Sequence, residues 1–218
     1  MRVWDIHPGY LNRQSLLGEH REIHAIHVVV SQGRKGYSRH PETLRWQGHL
    51  PALAMRHLQV VAEMLLRGYG HKSPMALPED GADIVWPAVF VDPPGHQFAL
   101  LAGKYRDREP GRIPLPVSVG QLVAQHALSA LARERRPSGS DFMGLAEELV
   151  ACLRQPPTRH GLAEVARGEA SLVDLLALGI VGWKREWGGQ EGSHTTVASD
   201  LLAWRLAAGL EESAPGSG

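Results

Sequence analysis

Two stretches of this chain carry apolar residues at helical spacing and stop on glycine, and they fix its structural class. Between Arg13 and Ser31, Leu16, Leu17, Ile23, Ile26 and Val30 fall on one face at intervals built from three and four. Gly33 follows as the residue that ends the helix. A second helix is expected from Leu50 to Arg67, with Leu50, Leu53, Leu58, Val61 and Leu65 inward and Gly68 closing it. Pro41-Glu42 opens a short helix between them, since proline suits a first turn. Residues 71–117 hold eight of the fifteen prolines and read as loop, with one strand at Ile84–Val91. Helices resume at about 118–135, 140–154, 160–167, 170–186 and 195–210, and Ser213–Gly218 reads as a disordered tail. The expected class is therefore all-α, a compact helical core with an additional C-terminal helical region. Three parts follow: a core over 1–74, a loop-rich extension over 75–136 and a C-terminal region over 137–218.

Charge sharpens that division. Basic and acidic residues number 23 each, so the formal net charge is zero. Taken whole, that balance lacks the basic footprint of a phosphate binder and argues against a polybasic membrane binder. Segment by segment it changes: residues 1–72 carry +5, 73–105 carry −3, 106–136 carry +3 and 137–218 carry −5. Nineteen of the 23 basic residues are arginine, the side chain suited to bidentate phosphate contact. A basic front and an acidic rear keep nucleic acid within reach. The single cysteine, Cys152, excludes an intramolecular disulfide and a thiolate zinc site, and its apolar run reads as a buried helix. No leader-like opening and no apolar stretch near 18 residues is present, so the expected setting is soluble and cytoplasmic.

The densest run of reactive side chains is Gln14 to His27. Ser15, Gly18 and Glu22 share a helix stripe, and glycine in mid-helix costs about 1 kcal/mol relative to alanine. Either tight helix packing or a close approach one turn below Glu22 would account for it. His20, His24 and His27 form another stripe, at spacings that allow two or three imidazoles to share a metal. His-Arg-Glu-Ile-His lacks the glutamate directly after the first histidine that the zinc-protease motif needs. Core or groove-lining is the stronger reading of these histidines, and no metal is assigned.

Several blocks together resemble the bacterial branch of the pyrimidine-dimer DNA glycosylases, relatives of the phage enzyme endonuclease V. They are Met1-Arg2-Val3-Trp4-Asp5-Ile6-His7-Pro8, Leu11 to Glu22, and Gly36-Tyr37-Ser38-Arg39-His40-Pro41-Glu42-Thr43. Arg56-His57 and Ala62 to Tyr69 are similar to the family's third-helix segment. Lys104-Tyr105, Gly111-Arg112-Ile113-Pro114-Leu115-Pro116 and Gln125-His126 extend the resemblance to about residue 133.

The resemblance implies an endonuclease V-like core and a glycosylase and AP lyase that works on damaged double-stranded DNA as a monomer, without metal or organic cofactor. Its nucleophile is the α-amine of the first residue, which expels the damaged base, forms an imine and cuts the strand by β-elimination. α-Amines ionise near roughly 7.7–8.0, so a fraction is free base at neutral pH without desolvation. By the same comparison Glu22 is the catalytic carboxylate. Arg2 is too bulky for the usual removal of initiator methionine, which leaves Met1 as the amine. Arg2, Gln14 and Arg21 carry over as DNA-contacting residues, joined by Arg13 and by Arg34, Lys35 and Arg39 of the basic loop. Where phage-type members have an arginine one turn after the glutamate this chain has Ala25, which implies a different lesion, a different flipped base, or His24 in the arginine's place. Ser15 replaces a phage-type histidine, and the phage enzyme's aromatic, basic C-terminal segment has no counterpart. Gly18 would make room for the N-terminal strand beside Glu22. Tyr37 and Trp46 could wedge against a base, Lys104 and Arg112 could extend the groove, and the acidic rear offers a surface to a protein partner. Two other readings remain: a metal-dependent hydrolase or nuclease using His20, His24 and His27, and a non-catalytic lesion binder.

Overall fold

Helix α1 spans Arg13–Ser31, the range that its apolar spacing predicts. Asn12 caps it, its side chain accepting the Ser15 N–H at 2.9 Å. Gly33 takes φ 61° and the Arg34 N–H returns to the Val29 carbonyl, the left-handed stop that the glycine foretold. Helix α2 covers Pro41–Arg45 and α3 covers Leu50–Leu66. The computed structural model describes residues 1–76, 78, 82–125 and 141–154, with the main chain alone at 123–125 and 152. The helices expected at 160–167, 170–186 and 195–210, the tail, and the side chain of Cys152 lie outside the described residues.

Every residue of α3 from Ala52 to Met64 is buried, polar ones included, so α3 is the central helix. Leu16, Ile23 and Ile26 of α1 meet Leu53, Val60 and Met64 of α3 in the core. The same apolar cluster takes in Phe98, Leu101, Leu122, Leu145 and Leu149, which lie behind the expected boundary at residue 74. These come from α4 (Pro94–Lys104), α5 (Val119–Gln125) and α6 (Phe142–Leu153).

Two expectations for residues 71–117 are corrected. Helix α4 lies inside the stretch read as loop, because Pro93 and Pro94 stand at the cap and first turn, where proline starts a helix. The strand expected at Ile84–Val91 does not form, and the described residues contain no strand. Pro87 removes a ladder donor from its middle. Trp86 and Phe90 instead pack against the core, while Val85, Val89 and Val91 are exposed.

The first twelve residues are held in place rather than draped over the surface. Val3 through Asn12 are all buried. The Trp4 N–H donates to Glu19 Oε1 at 3.1 Å and the Asp5 N–H to Gln97 Oε1 at 2.8 Å. The Asp5 carboxylate accepts from Gln97 Nε2 at 2.9 Å, from Arg154 Nη2 at 2.7 Å and from Arg45. The chain then turns through a short 3-10 segment at Pro8–Tyr10. Gly111 lies so close to that turn that a Cβ there would stand 2.4 Å from the Tyr10 carbonyl. The Ile113 N–H donates to the Gly9 carbonyl at 2.8 Å. The block Gly111–Pro116 is thus a clamp on the N-terminal turn. Arg112, expected to extend a groove, turns inward and pairs with Glu63 at 2.6 Å. Among the described residues no helix is long and apolar enough to cross a membrane.

Candidate functional site

Glu19 and Glu22 sit one turn apart on α1, and packing gives them opposite environments. Glu19 is 2% exposed and accepts from Arg56 through both oxygens, at 2.8 Å from Nε and 3.2 Å from Nη2, besides holding the Trp4 N–H. Burial pushes its carboxyl above the usual range, against the pull of Arg56 and the Trp4 N–H. Both its oxygens are engaged by structural donors. The Glu22 side chain is 35% exposed, and its Oε1 lies 3.9 Å from the Met1 α-amine. Thr43 Oγ1 donates to Met1 Sδ at 3.3 Å, fixing the first side chain against α2. The amine is therefore delivered to Glu22 by Glu19, through Trp4, and by α2, through Met1 itself.

Beside this pair runs an open cleft of about 600 Å³ lined by Arg13, Gln14, Leu17, Gly18, Arg21, Lys104 and Glu109. Three expected DNA-contacting residues, Arg13, Gln14 and Arg21, meet there. Lys104 joins them from the end of α4, and Arg108 Nη1 donates to Gln14 Oε1 at 2.7 Å. Burial, with Arg108 and Arg2 nearby, holds the Lys104 ammonium below the usual lysine range. Arg108 was missed in the sequence, although the +3 balance of residues 106–136 was its signal. Arg2 has its own counterion, with Nη2 2.5 Å from Asp92 Oδ2 and its guanidinium 4.8 Å above the Trp4 ring.

Gly18 does not make room for the N-terminal strand: a Cβ there would meet nothing within 4 Å. It opens onto the cleft instead. Nor is Trp46 a wedge, since it is 1% exposed and donates through Nε1 to Glu42 at 3.1 Å. Tyr37 is 72% exposed, at φ 53°, in the basic loop. Arg34 and Lys35 line a second hollow of about 370 Å³ with Gly33, Ser38 and Gln47, and Arg39 is exposed nearby in the chain.

His20 and His24 face α3 and meet His57 and His71 there; His27 is not one of this group. His24 Nε2 lies 3.1 Å from His57 Nε2. Burial, with neighbouring histidines, pushes the His24 imidazole below its ordinary value. The ring is thus turned to other imidazoles and favours its neutral form. His57 and His71 had a signal in the eight of twelve histidines that precede residue 73.

A primary amine beside a helix carboxylate, with a cationic cleft along the same helix, has the parts of a covalent catalyst for a phosphate-bearing substrate. Residues 1–77 match the family described as pyrimidine dimer DNA glycosylase. The matched segment carries the amine, Glu22 and α1 through α3, and it is this part of the chain alone that is similar to the family. No curated protein and no solved structure matches the chain.

Proposed function

We propose that the protein excises a damaged base from duplex DNA and then cleaves the strand, with the Met1 α-amine as nucleophile and Glu22 as proton carrier. The observation that carries this reading is the 3.9 Å approach of the amine to Glu22 Oε1. The neutral amine attacks C1′ of the damaged nucleotide, the bond from C1′ to the base breaks, and the base leaves with that electron pair and a proton. One proton of the attacking nitrogen leaves with the base; the other passes by way of Glu22 to O4′, which takes the electron pair of the breaking C1′–O4′ bond and leaves the open-chain imine C1′=N. Removal of a C2′ proton, the work assigned to Glu22, then expels the 3′ phosphate by β-elimination. Glu19 is a positioning residue, holding Trp4 and through it the amine. Arg13, Gln14, Arg21, Lys104 and Arg108 orient the phosphates, with Arg34, Lys35 and Arg39 of the basic loop as a further contact. A damaged nucleotide rotated from the stack would present its sugar to Met1. Arg2 reaches a phosphate only by exchanging Asp92 for it.

A catalytic metal site on the histidine stripe has less support, because the four imidazoles of the cluster leave no ligand position open for substrate. The test is borohydride trapping on lesion-bearing and abasic oligonucleotides, with the mature N-terminus verified by mass spectrometry. Native protein is expected to give a covalent adduct, and protein with an added N-terminal residue is expected to give none. Equal trapping by both would remove Met1 from the mechanism. Tight, salt-sensitive DNA binding without an adduct would make the protein a lesion binder instead.

A further inference from the structure

Four imidazoles converge where α1, α3 and the segment after α3 meet. His20 and His24 come from successive turns of α1, His57 from α3 and His71 from beyond its end. One ring nitrogen of each lies within 4.8 Å of those of the other three. Ring centroids stand 4.8–5.2 Å apart in five pairs of the group. Nε2 of His20 and Nε2 of His71 are buried with no hydrogen-bond partner among the described residues. Leaving a buried polar nitrogen unpaired is unfavourable, and two of the four rings carry one here.

We propose that His20, His24, His57 and His71 bind one divalent transition-metal ion of the zinc, nickel or copper kind. The donor set is imidazole alone, which suits these ions and not magnesium or calcium. Metal–nitrogen bonds of about 2.0–2.1 Å in a tetrahedron place ligand nitrogens about 3.3 Å apart. The His24–His57 pair is already at 3.1 Å, and His71, on non-helical chain, can close the remainder by rotating its ring. His24 also hydrogen-bonds the Ser73 main chain, the outer contact that orients a ligating ring.

Four protein ligands make the site closed, and its role structural. It would brace α1 against α3 next to the Glu19–Arg56 pair, since His20 follows Glu19 and His57 follows Arg56. The site stands whether or not the imine chemistry does.

The test uses the untagged full-length chain, stripped with chelator and titrated with zinc chloride or nickel chloride. Calorimetry should give one ion per chain. The melting temperature should rise by about 5 °C or more at a hundredfold excess of zinc over its Kd. X-ray absorption on the zinc-loaded protein should show four imidazole nitrogens at about 2.0 Å. His71→Ala should weaken binding about a hundredfold or more, given that even outer contacts are worth roughly 10–100-fold. His27→Ala should leave binding unchanged. No stoichiometric uptake, fewer than four imidazoles at the ion, or undiminished affinity in His71→Ala would overturn the proposal. The absorption measurement on native protein decides it if that variant does not fold.

Discussion

The two sides of α1 treat charge in opposite ways. Toward α3, the Glu19 carboxylate meets a bidentate Arg56 and the Trp4 N–H, and His20 and His24 are driven toward neutrality. On the other side Arg13, Gln14 and Arg21 line an open cleft with Lys104, and burial together with Arg108 and Arg2 works against the Lys104 charge. The inner side is what folding requires, because a buried charge must be paired. The outer side sets Arg13, Arg21 and Lys104 against the single carboxylate of Glu109, and a cleft with that net positive lining draws an anionic partner. Glu22 stands between the two, exposed enough to react and close enough to the amine to matter.

Exchanging each carboxylate for its amide breaks or sharpens this contrast most. Glu22→Gln should reduce strand cleavage and borohydride trapping by about 10²–10⁴-fold, the usual worth of a general acid or base, with stability within about 0.5 kcal/mol. Glu19→Gln should do the reverse in kind. It leaves Arg56 buried without a counterion and should lower unfolding free energy in urea by about 3–5 kcal/mol. Activity lost in Glu19→Gln should track misplacement of the amine and return in part at low temperature, where the fold is retained. If Glu19→Gln were fully stable and inactive while Glu22→Gln stayed active, the two roles would have to be exchanged.

How much of this was legible beforehand follows the same division. Helices α1 and α3 announced themselves through apolar spacing and glycine stops, and α2 through Pro41 at its first turn, since these signals are local. Helix α4 did not, because its opening Pro93-Pro94 pair reads as a breaker unless the apolar positions after it are weighed. Arg13, Gln14 and Arg21 were legible as a group from one helical stretch. Lys104 was named through the family resemblance and Arg108 not at all; about ninety residues away in sequence, both reach the same cleft through tertiary packing. Glu22 was singled out from Glu19 by the family resemblance alone, and the Arg56 that separates their environments is on another helix. The histidine stripe was visible as far as its own helix went. His57 and His71 complete the cluster from elsewhere, and His27, which the spacing favoured, stands outside it.

The outer side should also answer to salt. Arg21→Ala and Lys104→Ala should each weaken DNA binding across sequences, undamaged DNA included. Each should flatten the dependence of log K on log salt by about 0.9, as one phosphate contact fewer requires. Fluorescence anisotropy between low and physiological salt measures this. A variant that loses affinity for the lesion alone, with the slope unchanged, would place that residue at the damaged nucleotide and not on the backbone.

The smallest expected effect separates folding from function at a single position. Gly18 lies in mid-helix, where alanine is favoured by about 1 kcal/mol, and a Cβ there would touch nothing within 4 Å. Gly18→Ala should therefore raise the unfolding free energy by up to about 1 kcal/mol. The chain forgoes that stability at a residue lining the cleft, which makes sense if a substrate backbone passes over it. Gly18→Ala should then trap DNA a few-fold less efficiently than native protein, and Gly18→Leu less again, while both unfold at higher urea. If both variants are more stable and trap DNA as well as native protein, the cleft does not carry the substrate past Gly18, and the path to Met1 must run along the Arg34–Arg39 loop.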